Sequence, residues 1–432
     1  MKNLITTFAG TALIQIVTIL TGVLTARWLL PTGKGELTAI VLWPTLLTTL
    51  GSIGIWDAIV YYSAGRVSAR LPRVLASAIA VSAVLSLILG GIGFFLLPHI
   101  LTSHGSGTIA LARWYLFFIP LTFVTLSAMA ILQGEQRFSQ FNAVRVLVYL
   151  GELTGVVLLY FAGAISVGNV LWVFLAARFI TMTAAFFLAA QDFGSGLRPD
   201  WSTARQLVSY GCKVHVGTMA DALNLRLDQL IMSVFLPTTA LGLYVVAVSV
   251  GAVVTLVSSG VNIVLFPRLA AASESQRGEI LGRFVRLTLA LSLCVAVLLL
   301  ILAPWLIITF FGSGFLSALP AARVLVVASI LLNLNSIFVV AAKAFNYPIV
   351  ASQGQFVGLA FTAVLLALLL PKLQGYGAAW ASLGAYAATF MYLAFVIRRK
   401  TGLAFGTLFI PRWEDVRLLV NALADLRRKC GL

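Results

Sequence analysis

Residues 208–237 read VSYGCKVHVGTMADALNLRLDQLIMSVFLP. Most of this stretch is apolar enough to cross a membrane, yet Asp221, Arg226 and Asp228 lie inside the run. A charged side chain at a helix centre costs about 2.5–3.5 kcal/mol to insert, and each flanking Leu, Ile or Val returns only about 0.3–0.6 kcal/mol. Three charges together cost about 8–10 kcal/mol on that scale. Such a helix is expected to border protein or a watery cavity rather than to face lipid on all sides. On a continuous helix Asp221, Asn224 and Asp228, spaced i, i+3, i+7, share one face, with Arg226 about 160° from Asp228. His215, Met219, Ala222, Arg226 and Gln229 make a second polar strip.

The whole chain has the same solvent in mind. Of its 432 residues 61% are hydrophobic and 10% are charged, and its mean hydropathy is +1.04. A soluble domain carries about 25% charged residues, so an all-α polytopic membrane protein is expected, with no large soluble domain. Apolar runs fall near 7–30, 37–63, 74–98, 109–132, 143–163, 168–190, 207–236, 241–267, 284–310, 320–345, 353–371 and 376–397. These predict twelve transmembrane helices. Thr7 to Leu30 is too long for a signal-peptide core and reads as the first anchor.

The net charge of +16 fits cytoplasmic loops and anionic lipid rather than nucleic acid. Basic residues collect in alternate loops: Arg66, Arg70 and Arg73; Arg137 and Arg145; Arg198, Arg205 and Lys213; Arg268, Arg277, Arg283 and Arg286; then Arg398, Arg399 and Lys400. The opposite loops offer only Lys34 and Lys372. The positive-inside rule places both termini in the cytoplasm. Residues 411–428, PRWEDVRLLVNALADLRR, put Trp413, Val416, Leu419, Val420 and Leu423 on one side and are expected to form an interfacial helix or a partner-docking helix. The three cysteines fit neither a disulfide framework nor a zinc site, and the three histidines suggest no metal cluster.

A faint internal repeat links the two halves. Leu30-Pro31-Thr32 is followed by Gly35, and Leu236-Pro237-Thr238 by Gly242, with one inserted residue between the patterns. The expected organisation is therefore two pseudo-symmetric six-helix lobes around a central cavity. Residues 1–192 form the N-terminal lobe, 193–206 a cytoplasmic linker, 207–400 the C-terminal lobe and 401–432 a cytoplasmic amphipathic tail.

Four stretches carry a resemblance. TGVLTARWLLPTGKGELTAIVLWPTLLTTLGSIGIWDAIVYYSA, the first hairpin, spans residues 21–64, LQGEQRFSQFNAVRVL spans 132–147, RLDQLIMSVFLPTTALGLYVVA spans 226–247 and LFPRLA spans 265–270. In this order they resemble polysaccharide-biosynthesis flippases of the Wzx type, within the multidrug/oligosaccharidyl-lipid/polysaccharide exporter superfamily. Pro31 stands where those proteins more often have Gly, and Asp57 departs from the pattern. The resemblance implies a two-lobed, alternating-access transporter that flips an undecaprenyl-pyrophosphate-linked oligosaccharide across the bacterial inner membrane for surface polysaccharide: O-antigen, capsule or exopolysaccharide. Its partners would be that lipid-linked substrate, membrane lipids and polysaccharide-assembly proteins.

An anionic head of this kind needs cations, and arginine suits pyrophosphate through bidentate contacts. Arg178 and Arg226 lie well inside spans and are hard to read as snorkelling. Each is a cavity cation or half of a structural ion pair. Arg27 is raised by the resemblance, because related lipid II flippases carry a cavity-facing Arg near that point. Arg145 starts a helix on the cytoplasmic side, where it could meet entering substrate. The intramembrane acids Asp57, Glu152, Asp221 and Asp228 divide between a proton or sodium site and ion pairs, with Arg178 or Arg27 as the partners for Asp221 and Asp228. Glu152 sits beside Gly151-x-x-x-Gly155, a pattern of close helix packing. Asn224, Asn262, Asn333 and Asn335 are candidate sugar contacts, with interhelical hydrogen bonds as the alternative. No cofactor is expected beyond a coupling Na+ or H+.

No enzyme signature survives: a phosphate-binding loop with Lys-Ser/Thr is absent, as are paired carboxylates in a soluble cleft. Three rival functions remain. One is a multidrug or cation antiporter of the same superfamily. A second is a lipid II flippase, although those relatives usually carry two further helices. The third is a membrane-embedded polysaccharide polymerase, which would call for a larger loop than any visible.

Overall fold

The chain was analysed as a computed structural model, which describes residues 2–64, 71–191, 193, 197–401 and 405–409. Among the described residues there is no strand, and helix follows helix. This is what lipid demands, because a helix satisfies its own backbone groups where no water can. Nine stretches of the described residues are long and apolar enough to cross a membrane, so the protein is a multi-pass membrane protein.

Helix α1 spans Lys2–Gly51 and bends at Leu30, whose φ of 62° and ψ of 175° leave the helical region. The next residue is Pro31, which disfavours the α conformation before it. At 1.5 Å per residue the arms before and after the bend are about 43 and 31 Å long, against ~30 Å of hydrocarbon, so each can cross. The turn expected at Pro31-Thr-Gly is present as this bend: the second arm folds back on the first, so that Lys34, which lies on helix, reaches the Gly22 carbonyl at 3.3 Å and the Thr25 hydroxyl at 2.9 Å. Helix α13 (Pro348–Thr401) repeats the device, with Pro371 inside and the bend at Gln374 (φ 50°).

The remaining helices are α2 (Ile55–Ser63), α3 (Leu71–Ile100), α4 (Ser106–Tyr115), α5 (Phe118–Gly134), α6 (Phe138–Phe161), α7 (Val167–Ala190), α8 (Trp201–Asn224), α9 (Leu227–Phe235), α10 (Thr238–Ala271), α11 (Glu274–Leu306), α12 (Leu319–Ala344) and α14 (Phe405–Phe409). The stretch 208–237 is not one helix. It breaks at Leu225–Arg226, where Arg226 caps α9 with φ −132°. The angles expected on a continuous helix therefore do not carry from Asp221 to Asp228. The expected interfacial helix at 411–428, Arg66 and Arg70 lie outside the described residues.

By packing, the chain forms two compact units: residues 1–246 with 307–317, and residues 247–306 with 318–432. In the first, α2, α3, α5 and α8 close on a core that includes Ile55, Ile59, Leu75, Ala128, Ile131 and Leu207. Gly151 and Gly155 of α6 face Ala177 and Val173 of α7, the close packing expected of that spacing. Asp200 opens α8: its carboxylate accepts from the Thr203 N–H at 2.8 Å and hydroxyl at 2.7 Å. These bonds hold Asp200 below the usual carboxylate range. In the second unit Leu265, Leu281, Val285, Ile337, Phe338 and Leu393 form the core, joined by Leu408 of α14. Large side chains such as Phe95, Phe161 and Ile301 are exposed, as expected where lipid is the solvent.

Candidate functional site

Between α1 and α2 the helix path breaks inside the first unit. Ile53 and Gly54 have φ of 42° and 66°, in the left-handed region that favours glycine. A side chain on Gly54 would meet the Gly211 carbonyl of α8, and one on Gly211 would meet Ile53. Both positions are therefore held to glycine, by conformation at one and by backbone approach at both. At the break His215 Nε2 of α8 donates to the Leu50 carbonyl at 3.0 Å.

A cavity of about 460 Å³ opens at this break. Thr45, Thr48 and Thr49 line it from α1, Ser52 from the break just past it, Trp56 and Asp57 from α2, Phe118 and Thr122 from α5, and His215 from α8. The four hydroxyls, three on the last turns of α1 and Ser52 just past its end, are spaced i, i+3, i+4, i+7 and so form one stripe. Thr45, Thr48 and Thr49 donate to the carbonyls of Val41, Pro44 and Thr45 at 2.7–2.8 Å, and Ser52 donates to Thr49 at 3.1 Å. With the donors engaged, the oxygens remain as acceptors. The exposed Asp57 carboxylate adds two more, and makes no ion pair among the described residues. The lining is thus acceptor-rich and suits a ligand that donates many hydrogen bonds.

Behind one wall lies a charged pair. Arg178 Nη2 of α7 stands 3.0 Å from Glu152 Oε1 of α6. The guanidinium also sits 4.4 Å from the centre of the Phe118 ring. Phe118 therefore touches the cavity and the cation together.

The other residues singled out by sequence are placed as follows. Asp228 is buried; its carboxylate accepts from the Tyr244 hydroxyl at 2.5 Å and the Gln229 N–H at 2.7 Å. Neither Arg178 nor Arg27 is its partner. Arg226 is exposed and donates to Gln229 within its own helix at 3.3 Å. Arg27 donates to the Thr309 carbonyl at 2.5 Å. Arg145 reaches Asn142 and Thr11, each at 3.4 Å, and lies over Phe141. Asn224 ends α8 beside the break. The Asp221 side chain lies outside the described residues. Asn262 donates to Ser336, Asn333 to Val254 and Ser292, and Asn335 to Tyr386, so each bridges helices of the second unit.

Sequence reading passed over Lys34, whose Nζ donates to Thr25 at 2.9 Å and Gly22 at 3.3 Å. It also passed over the Thr45–Ser52 stripe, although that spacing is visible in TLLTTLGS.

The two repeated turns meet. A side chain on Gly35 would collide with the Thr238 carbonyl, and one on Gly242 with the Pro31 carbonyl. The contact is reciprocal: position 31 meets 242 and position 238 meets 35. Beside it the hydroxyls of Thr32 and Thr239 are 2.9 Å apart, and the Trp43 indole donates to Ser233 at 3.1 Å.

Comparison with solved structures gives the fold. The lipid II flippase MurJ in an inward closed conformation matches with a TM-score of 0.77 and 14% identity, over 91% of this chain and 87% of that one. A multidrug resistance MATE family transporter of the MOP superfamily, in an inward-facing conformation, matches at 0.69 and 12%, over 89% and 95%. The MATE transporter ClbM in complex with Rb+ matches at 0.57 and 15%, over 93% and 96%. No curated protein matches the chain. The family model described as polysaccharide biosynthesis protein matches residues 24–320. That is more than half of the chain, and it is the family that the two hairpins and the loop at 132–147 resembled. The chain belongs to the polysaccharide biosynthesis protein family and has a fold like those of MurJ and the MATE transporters.

Proposed function

We propose that this protein is a transporter that flips an undecaprenyl-pyrophosphate-linked oligosaccharide across the bacterial inner membrane, by alternating access, for surface polysaccharide assembly. The observation that carries the reading is the acceptor-rich cavity at the α1–α2 break. A volume of about 460 Å³ lies in the range of small-molecule sites. Sugars present many hydroxyl donors and apolar ring faces. The Thr45–Ser52 stripe and Asp57 answer the first, and Trp56 and Phe118 the second. A lipophilic drug cation would need fewer acceptors. The pyrophosphate would be met by cations outside this cavity, with Arg178 behind Phe118 and Lys34 and Arg27 on α1 as candidates.

Twelve crossings in two six-helix lobes, with both termini cytoplasmic, remain our reading of the topology. Nine stretches, with α1 and α13 each holding two arms, offer eleven crossings. The charged pair α8–α9 adds the twelfth. Asp228, buried and accepting from the neutral Tyr244 hydroxyl and Gln229 N–H, is the acid we assign to coupling by H+ or Na+. The reciprocal contact of Gly35 and Gly242 would be the outer closure of the cycle.

The test is deletion of the protein in its host. Loss of surface glycan with lipid-linked oligosaccharide retained on the cytoplasmic leaflet is the expected result. Normal glycan with altered sensitivity to cationic drugs would replace this reading with the antiporter.

A further inference from the structure

A second cavity, of about 330 Å³, lies in the second unit where α10 hands over to α11. Arg268 enters it from the end of α10 and Arg283 from the third turn of α11, with Gln276 between them and Ile280 and Phe284 as the apolar wall. Arg268 rests 5.9 Å from the centre of the Phe284 ring. Neither arginine forms an ion pair with a described carboxylate, although Glu279 stands one turn from Arg283.

Loop arginines in membrane proteins commonly face open water and need no ligand. These two differ in converging from separate helices on one cavity, with a neutral amide donor beside them and an uncompensated charge of two. A phosphate diester fits that donor set, since guanidinium groups hold phosphate oxygens bidentately. The surroundings select its source. Two to five residues back along α10, Phe266, Val264 and Ile263 are exposed at 47%, 43% and 56%, and Val264, one turn before Arg268, shares its side of the helix. An acyl chain can lie there while its head is held by the arginines. Basic pockets between transmembrane helices bind anionic lipid heads in this way.

We infer that the Arg268–Arg283 cavity binds the headgroup of an anionic phospholipid. The site is separate from the acceptor-rich cavity, and it does not depend on which substrate the protein moves.

The experiment uses the purified full chain in nanodiscs of zwitterionic lipid, with dioctanoyl-phosphatidylglycerol as the probe and native mass spectrometry as the readout. Arg268→Ala with Arg283→Ala should weaken binding about thirtyfold, or ~2 kcal/mol at 1.4 kcal/mol per tenfold. Arg268→Lys with Arg283→Lys should keep the charge and recover most of it, which separates binding from misfolding. Arg198→Ala with Arg205→Ala, basic residues elsewhere, should leave binding unchanged. The inference is overturned if the alanine pair binds the lipid as wild type does, if the Arg198 and Arg205 control loses as much, or if millimolar inorganic phosphate displaces the lipid. That last outcome would assign the cavity to free phosphate.

Discussion

Glu152 and Arg178 show what one residue pair costs in a membrane. Removing one partner of a buried pair leaves an uncompensated charge and destabilises by about 3–5 kcal/mol. Glu152→Gln alone should therefore lower the melting temperature in detergent, and Glu152→Gln with Arg178→Gln should recover much of the loss. If Arg178 also serves the substrate through the Phe118 wall, the double variant folds and still fails to export glycan. Export by the double variant would make the pair purely structural. His104, between α3 and α4, supplies a pH test. Burial pushes its imidazole below the ordinary histidine range, and the nearby Glu36 carboxylate opposes that shift. Its Nε2 is buried without a partner among the described residues. The unfolded chain, titrating near ~6.5, then binds more protons than the folded one, so stability falls as pH drops below that value. Melting at pH 5.5 should come at a lower temperature than at pH 7.5, and His104→Gln should flatten the difference. Equal slopes in both proteins would refute the assignment. At this scale the sequence named Glu152, Arg178 and Asp228 as costly residues but not their partners, because partners lie on other helices.

Helices here are interrupted where work is expected of them. The breaks at Ser52–Gly54 and at Leu225–Arg226, and the kinks at Leu30 and Gln374, each free backbone groups in the membrane. Two of these interruptions were legible, since Pro31 and Pro371 mark their neighbourhoods. The break at Leu225 was not, because no Gly or Pro stands in ALNLRLDQ; tertiary packing imposes it. The Thr45–Ser52 stripe was legible by its helical period but hidden within an apolar run. The repeated Leu-Pro-Thr turns were visible as a pattern, and their reciprocal contact only in three dimensions. Gly35→Val and Gly242→Val each place a side chain against backbone, at a cost of about 1–3 kcal/mol typical of overpacking. Both variants should melt earlier and export less, while Gly22→Val, in open space on α1, should do neither. A Gly35→Val protein that melts and exports like wild type would remove the contact from the account.

For the whole molecule, composition and hydropathy were enough to expect a multi-pass helical membrane protein, and four short stretches were enough for its family. The cavity needed coordinates, since its walls come from α1, α2, α5 and α8, far apart in sequence. Alternating access predicts that tying the two repeated turns together stops transport. Thr32→Cys with Thr239→Cys replaces two hydroxyls 2.9 Å apart, so an oxidant should join them and a reductant release them. The most direct measurement reconstitutes this double-cysteine protein in proteoliposomes with a lipid-linked oligosaccharide, and follows the head's exposure to an impermeant lectin on the far leaflet. The account predicts exposure above protein-free vesicles under reducing conditions and none after oxidation. Exposure no greater than in protein-free vesicles under reducing conditions, or exposure unchanged by the disulfide, would contradict it.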